Sequence, residues 1–408
     1  GGLQEITATI QHEQNAIIRE SGHPVVLVEG VAGSGKTSVM LQRVAYQLFQ
    51  HRGEWSADQM LIITPNPAFG QYIKGVLPAL GEAEAMTVTY PRLLTQLANR
   101  FGIDAVDQEH EQLAAIDVAL AQPSGDFVGR IGQQAWNQSD ASQSFLARMQ
   151  RVWRWLQATE QFPENLAGWI DFERLAQAFV LRPFSGLDQL YVLLKITDYQ
   201  QSGLKSVFID EAQDYPDAMW RVIRSIFSKS ELTIVGDPSQ KLSGKAVVIA
   251  DYFGDRRVAK MQLTTSYRAT GAITAAFAEY AGAQWAGQIE AVQAQGVAPV
   301  TIKAEQLSQT LVDFKPTKTQ SIAIITPDTT EAVQLAQAMD GQRLSTNGQK
   351  TVKPGLNILP LALAKGLEFD YVIVWDWQND YYQDPEFGDQ RRYVAASRGT
   401  KQLVFVES

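Results

Sequence analysis

The sequence predicts an α/β protein of parallel sheets flanked by helices, and two observations carry that prediction. Short apolar runs rich in β-branched residues recur along the chain, bounded by glycine, proline or aspartate, as buried strands of parallel sheets are. The first of them, Val25 to Glu29, leads straight into a glycine-rich segment, GVAGSGKT at Gly30 to Thr37, and then into a helical pattern over Thr37 to Gln50. Strand, glycine turn and helix in that order belong to a doubly wound layout whose working loops lie at the carboxyl ends of strands.

The remaining elements follow in order. A first set of strands is expected at Val25 to Glu29, Met60 to Thr64, Ser206 to Ile209, Leu232 to Val235 and Ala259 to Leu263. A second set is expected at Pro299 to Lys303, Ser321 to Thr326, Leu356 to Leu361, Tyr371 to Trp375 and Gln402 to Val406. From about Phe101 to Gln201 the texture changes to glutamine, alanine and tryptophan with few strand-like runs, which reads as a helical insertion in the first domain. Its tryptophans (Trp136, Trp153, Trp155 and Trp169) suit either partner docking or base stacking, but core packing is the commoner fate of such residues. The expected boundaries are 1–100 and 202–268 for the two parts of the first domain, 101–201 for the insertion, and 269–408 for a second domain of similar type. A chain of 408 residues has room for two or three such units at roughly 100–200 residues each.

Composition narrows the function classes. The absence of cysteine removes disulfides, thiolate zinc sites and a cysteine nucleophile, and fits a reducing, cytoplasmic setting. The four histidines show no ligand spacing, so no metal is expected beyond a nucleotide-bound cation. A formal net charge of −9 gives no basic footprint for tight nucleic-acid binding and is compatible with a protein partner. No apolar run approaches the ~20 residues of a bilayer span. The expected form is a monomer away from membranes.

The motifs carry the chemistry. In Gly30, Val31, Ala32, Gly33, Ser34, Gly35, Lys36, Thr37 and Ser38 the glycines let backbone N–H groups approach phosphates, Lys36 reaches the β/γ oxygens, and the Thr37 hydroxyl serves Mg²⁺ at a helix start. The run Val207-Phe208-Ile209 delivers DEAQD to a strand end, where Asp210 is placed to hold Mg²⁺ and Glu211 to polarise the attacking water. Together these motifs point to a nucleotide-driven motor. Four more follow: GDPSQ at Gly236 to Gln240, SYR at Ser266 to Arg268, AKGLEFD at Ala364 to Asp370 and YVAASR at Tyr393 to Arg398. Arg268 and Arg398 are the candidate cations for charge on the transferring phosphoryl group.

These motifs in this order resemble the UvrD/Rep/PcrA branch of superfamily 1 helicases. The segments TIQHEQNAIIRES (Thr9 to Ser21), LIITPNPAFGQYIKGVLPALGE (Leu61 to Glu82) and LPLALAKGLEFDYVIVWD (Leu359 to Asp376) further resemble the HelD-like class of RNA polymerase-associated ATPases. The resemblance implies two RecA-like P-loop domains that bind ATP and Mg²⁺ between them. It implies that Gln14 reads the adenine edge, Tyr267 stacks on the base, Arg268 touches the γ-phosphate and Gln240 senses it. It further implies that Gly366 and Glu368 contact the ribose and phosphate side, and that Arg398 is an arginine finger. The implied role is ATP-driven release of RNA polymerase from nucleic acid; the rivals are a 3′-to-5′ helicase or translocase of UvrD type in DNA repair, and a slow nucleotide-gated clamp on polymerase.

Departures from the helicase pattern favour the first of these. The stretch Ile63-Thr64-Pro65-Asn66 lacks the base-stacking phenylalanine of DNA-tracking relatives, and Lys241-Leu242-Ser243-Gly244 lacks their tyrosine and tryptophan. Nucleic acid is therefore expected to bind weakly or indirectly. The segment from Arg268 to Gly355 is too short for the second insertion of the DNA helicases, and no heptad arm like that of HelD-like proteins precedes Thr9, so a motor portion without its arm is expected.

Overall fold

In the computed structural model of this chain, the residues described are 12–65, 78, 81, 82, 85–104, 106, 110–120, 133–158, 183–285, 287–339 and 352–408. Thr9, Asn66, Trp169 and most of the segment after Pro65 lie outside them.

Two parallel sheets organise the molecule. The first has strand order β3-β2-β4-β5-β1-β6, from β1 (Val25–Gly30), β2 (Met60–Ile63), β3 (Met86–Val88), β4 (Ser206–Ile209), β5 (Glu231–Gly236) and β6 (Val258–Leu263). Every pairing in it is parallel, with Val25 opposite Leu232 on one side and Val258 on the other. After a two-stranded ribbon of β7 (Thr265–Ser266) and β8 (Glu290–Ala291), the second sheet runs β11-β10-β12-β13-β9. Its strands are β9 (Val300–Lys303), β10 (Ser321–Thr326), β11 (Gly355–Pro360), β12 (Phe369–Val374) and β13 (Gly399–Glu407), again all parallel.

Alternation along each strand divides the apolar residues between the two faces, as the period of two requires. In the first sheet Val25, Leu27, Leu61, Ile63, Val207 and Ile209 enter one core, while Val26, Val28, Met60, Ile62 and Phe208 enter the other. The second sheet divides likewise, Ala323, Ile325, Val372 and Val374 against Ile322, Ile324 and Ile373. Each sheet with its helices forms a lobe covered on both faces.

Two features depart from the sequence reading. Strand β3 was not expected, because Met86-Thr87-Val88 is only three residues long and Met86 is exposed, so no apolar run marks it. The ribbon β7/β8 was missed for the same reason: two residues per strand leave no period to read. In the segment 101–201, Leu113, Ile116, Trp136, Met149, Val152 and Leu187 join the same core as Val25 and Ile209, so its described helices cover one face of the first sheet. Trp136 is core, whereas Trp155 is exposed. Helix Gly186–Ile196 is largely buried, in keeping with the apolar run Leu190 to Leu194 within it. Among the described residues no helix is long and apolar enough to cross a membrane.

Candidate nucleotide site

The site is assembled at the carboxyl ends of β1, β4 and β5, where strands stop and loops turn over the sheet edge. The glycine-rich loop takes left-handed backbone at Gly33 (φ 73°) and Gly35 (φ 76°), which residues with a Cβ adopt at a cost. At Gly33 space is also short: a Cβ there would lie 2.8 Å from the Ser266 hydroxyl of the SYR motif. Gly35 opens helix Lys36–Gln50, so the free N–H groups of its first turn face the loop. Lys36 folds back, its Nζ donating to the Val31 carbonyl at 3.2 Å, and Thr37 donates from Oγ1 to Asp210 Oδ2 at 2.9 Å.

Asp210 and Glu211 differ in setting although they are neighbours. Asp210 is buried and accepts the Glu211 N–H at 2.8 Å on Oδ1. Burial first, and then the charge of Glu211, raise its pKa to about 7, against the pull of the Glu211 N–H, the Thr37 hydroxyl and Lys36. A carboxylate and a hydroxyl facing each other beside a lysine suit a hard divalent cation, whose charge would reverse that shift. Glu211 is held in left-handed backbone (φ 53°), uncommon for a residue with a side chain, and its Oε2 accepts from Gln213 Nε2 at 2.7 Å.

Behind these groups lies Asp237 of GDPSQ, wholly buried. Its Oδ2 accepts from Gln240 Nε2 at 2.9 Å and from the Tyr393 hydroxyl at 2.8 Å, its Oδ1 from the Ser239 N–H at 3.1 Å, and its own N–H donates to Gln213 Oε1 at 3.0 Å. Gln240 is thus near the loop and pinned to Asp237.

The other expected residues are brought to the same cleft. Gln14, on helix His12–Arg19, donates from Nε2 to the Ser34 carbonyl at 3.3 Å. That helix is held by buried Arg43, whose guanidinium donates to the carbonyls of Ile17, Ile18 and Glu20 at its carboxyl end. The Tyr267 N–H donates to the Gly33 carbonyl at 2.9 Å. Arg268 and Glu368, from opposite lobes, pair with each other at 2.6 Å, and Gly366 (φ 77°) forms the turn between Glu368 and Lys365, which pairs with Asp214 across the cleft. Arg398 is 4% exposed and spends its donors within its own lobe, on the carbonyls of Val394 (3.0 Å) and Leu367 (3.1 Å) and on Ser397 Oγ (2.9 Å). Burial lowers its pKa, while Glu368 and Glu211 favour its charge.

A sequence model of the AAA domain family matches residues 13–246, more than half of the chain. The chain belongs to this AAA domain family. It is similar to the ATP-dependent DNA helicase PcrA of Staphylococcus epidermidis, 23% identical over 269 residues that make up 59% of this chain and 35% of that protein. The PcrA of Staphylococcus aureus is 25% identical over 258 residues, 57% of this chain and 33% of its own length. Through these likenesses the chain is similar to ATP-dependent DNA helicases. It spans about a third of the length of these curated relatives. Among solved structures, the C-terminal domain of a possible DNA helicase from Lactobacillus plantarum is 27% identical, with a TM-score of 0.28, covering 35% of this chain and 87% of that one.

The family motifs contain three residues whose part is legible only in three dimensions: Gln213, Asp237 and Tyr393. Each lies inside a quoted motif, but no spacing says that they join one another. Beside Asp237 a cavity of about 640 Å³ opens between the GDPSQ loop and helix Gly388–Ala396. Its lining includes four carboxylates (Glu29, Asp237, Glu386 and Asp389) and two lysines (Lys241 and Lys260). Burial is the first cause that raises the pKa of Glu29, followed by Asp237; Lys260 opposes both.

Proposed function

We propose that this chain is the motor portion of an ATP hydrolase that binds Mg·ATP between its two lobes. The observation that carries the proposal is the Thr37 hydroxyl 2.9 Å from Asp210, beside Glu211, at the foot of a glycine loop that opens a helix. In this reading the backbone of Gly30 to Ser38 with Lys36 cradles the phosphates, and Thr37 and Asp210 hold Mg²⁺. Glu211 orients and deprotonates the attacking water, Gln240 senses the γ-phosphate, and Arg268 and Arg398 neutralise charge on the transferring phosphoryl group as ADP leaves. Gln14 and Tyr267 hold the base, and Gly366 and Glu368 the ribose side. Mg²⁺-dependent release of phosphate from ATP tests this directly. Lys36→Ala should weaken both binding and turnover, while Glu211→Gln should keep binding and lose turnover; unchanged hydrolysis by Glu211→Gln would remove it from the base role.

The similarity to PcrA supports nucleic acid as what the motor works on, as a 3′-to-5′ translocase of UvrD type. Release and recycling of RNA polymerase is the second reading, in the manner of HelD-like ATPases. It is favoured by the acid-rich cavity beside Asp237 and by the lack of aromatic side chains at Thr64, Pro65 and Lys241 to Gly244. Base stacking is worth roughly 1–3 kcal/mol per base, so two missing platforms weaken a grip on a single strand. Single-stranded DNA should stimulate a translocase's ATP turnover many-fold and leave a polymerase-directed motor nearly unmoved. Under the second reading, Pro65→Phe with Ser243→Tyr should tighten single-stranded DNA binding about tenfold or more, measured by fluorescence anisotropy.

A further inference from the structure

We infer that Tyr393 is a positioning residue that ties the second lobe to the glycine-rich loop and, through Asp237 and Gln213, to the carboxylate of Glu211. The inference rests on the ATPase reading above and deepens it. Tyr393 stands on helix Gly388–Ala396 of the second lobe, fully buried, with its ring edge-on to Phe277 at 5.5 Å between centroids. Its hydroxyl meets two groups of the first lobe: the Ala32 N–H at 2.8 Å and Asp237 Oδ2 at 2.8 Å.

The proton count fixes the direction of both bonds. The amide of Ala32 can only donate, so the hydroxyl accepts there and gives its single hydrogen to Asp237. Three further contacts complete the line: Asp237 N–H to Gln213 Oε1 (3.0 Å), Gln213 Nε2 to Glu211 Oε2 (2.7 Å), and Gln240 Nε2 to Asp237 Oδ2 (2.9 Å). The glycine loop, the residue expected to sense the γ-phosphate and the expected base therefore share one hydrogen-bonded chain, whose second-lobe member is Tyr393. Apolar packing points the same way, since the Ala32 side chain belongs to the core cluster of the second lobe, with Ile273, Phe277 and Tyr393. Burial, followed by the proximity of Asp237, raises the Tyr393 pKa well above its ordinary value and keeps the hydroxyl protonated as the geometry requires.

In this arrangement a movement of the second lobe displaces Asp237 and the loop together, and with them the Glu211 carboxylate, whose placement limits the chemical step. Tyr393→Phe removes only the hydroxyl. It should lower kcat for ATP by about tenfold or more and leave KM and the affinity for a non-hydrolysable ATP analogue within about twofold. Gln213→Leu should reproduce that split. Tyr382→Phe is the matched control, because the Tyr382 hydroxyl is equally buried and has no hydrogen-bond partner among the described residues. It should leave kcat unchanged. Amide hydrogen exchange, read without turnover, should speed up in Tyr393→Phe at both residues 30–35 and 236–240. Parental kcat in Tyr393→Phe, a loss confined to melting temperature, or a rise in KM alone would overturn the inference while leaving the ATPase reading intact. A parent protein that releases no phosphate from ATP would overturn the ATPase reading, and the inference with it.

Discussion

Asp117 and Asp210 are both carboxylates set into the first lobe, and their surroundings are opposites. Asp117, on helix Leu113–Ala119, accepts from Lys195 Nζ (2.7 Å), Tyr191 hydroxyl (2.6 Å), Arg224 (3.0 Å) and Arg221. Burial alone would raise its pKa, yet Lys195, Tyr191 and Arg221 hold it below the ordinary carboxylate range. Asp210 faces a hydroxyl, a backbone N–H and a second carboxylate, and is pushed up to about 7. One charge is satisfied by the protein itself and belongs to the architecture. The other is left short of positive charge, as a carboxylate that serves a ligand cation must be.

Substituting the two residues in the same way sharpens the contrast. The largest effect is expected in turnover: Asp210→Asn should cut Mg²⁺-dependent ATP hydrolysis by about 10²-fold or more, whereas Asp117→Asn should leave the kcat of the folded protein within about twofold. Equal losses in a phosphate-release assay would erase the distinction. Stability should reverse the order. Asp117→Asn leaves Lys195 buried without its counter-charge and should cost about 3–5 kcal/mol in urea unfolding, while Asp210→Asn relieves the Glu211 repulsion and should stay within about 1 kcal/mol of the parent. Because the Asp117 pKa is depressed on folding, its contribution is complete above the unfolded value of about 3.9 and is lost as pH falls through the folded value. The gap between parent and Asp117→Asn should therefore be widest near neutral pH and narrow below about pH 4; a gap independent of pH would argue that the lost term is packing. The smallest effect is expected from Tyr191→Phe, which removes one of the hydrogen bonds to Asp117 and should cost about 1–2 kcal/mol, less than the loss of the charge.

Much of this was legible in the residues. The second sheet's strands fall within a few residues of expectation because most are short runs with β-branched residues, bounded by glycine, proline or polar residues. The same holds for β1, β2, β4, β5 and β6, whereas β3, β7 and β8 are too short to carry a pattern. At the site, Gly33, Gly35, Lys36, Thr37 and Asp210 were readable because loop, helix start and strand end each leave a local mark. The pairing of Arg268 with Glu368 and the commitment of Arg398 to its own lobe were not, since both depend on contacts between segments about 30 to 100 residues apart. The Asp117 cluster was equally hidden: one aspartate on one helix answers cations on two others, with no motif to announce it.

Ala32 has a consequence for how the chain comes apart. It sits in the first lobe's glycine loop, yet its methyl group is part of the second lobe's core. A fragment cut after Arg268 would expose that methyl and leave the Ala32 amide and the Asp237 carboxylate without Tyr393. The seam between the lobes is then not clean, and the first lobe draws part of its stability from the second. Heating should melt the two sheets in one cooperative transition, and the isolated fragment 1–268 should unfold at a lower temperature than the same residues do in the whole chain.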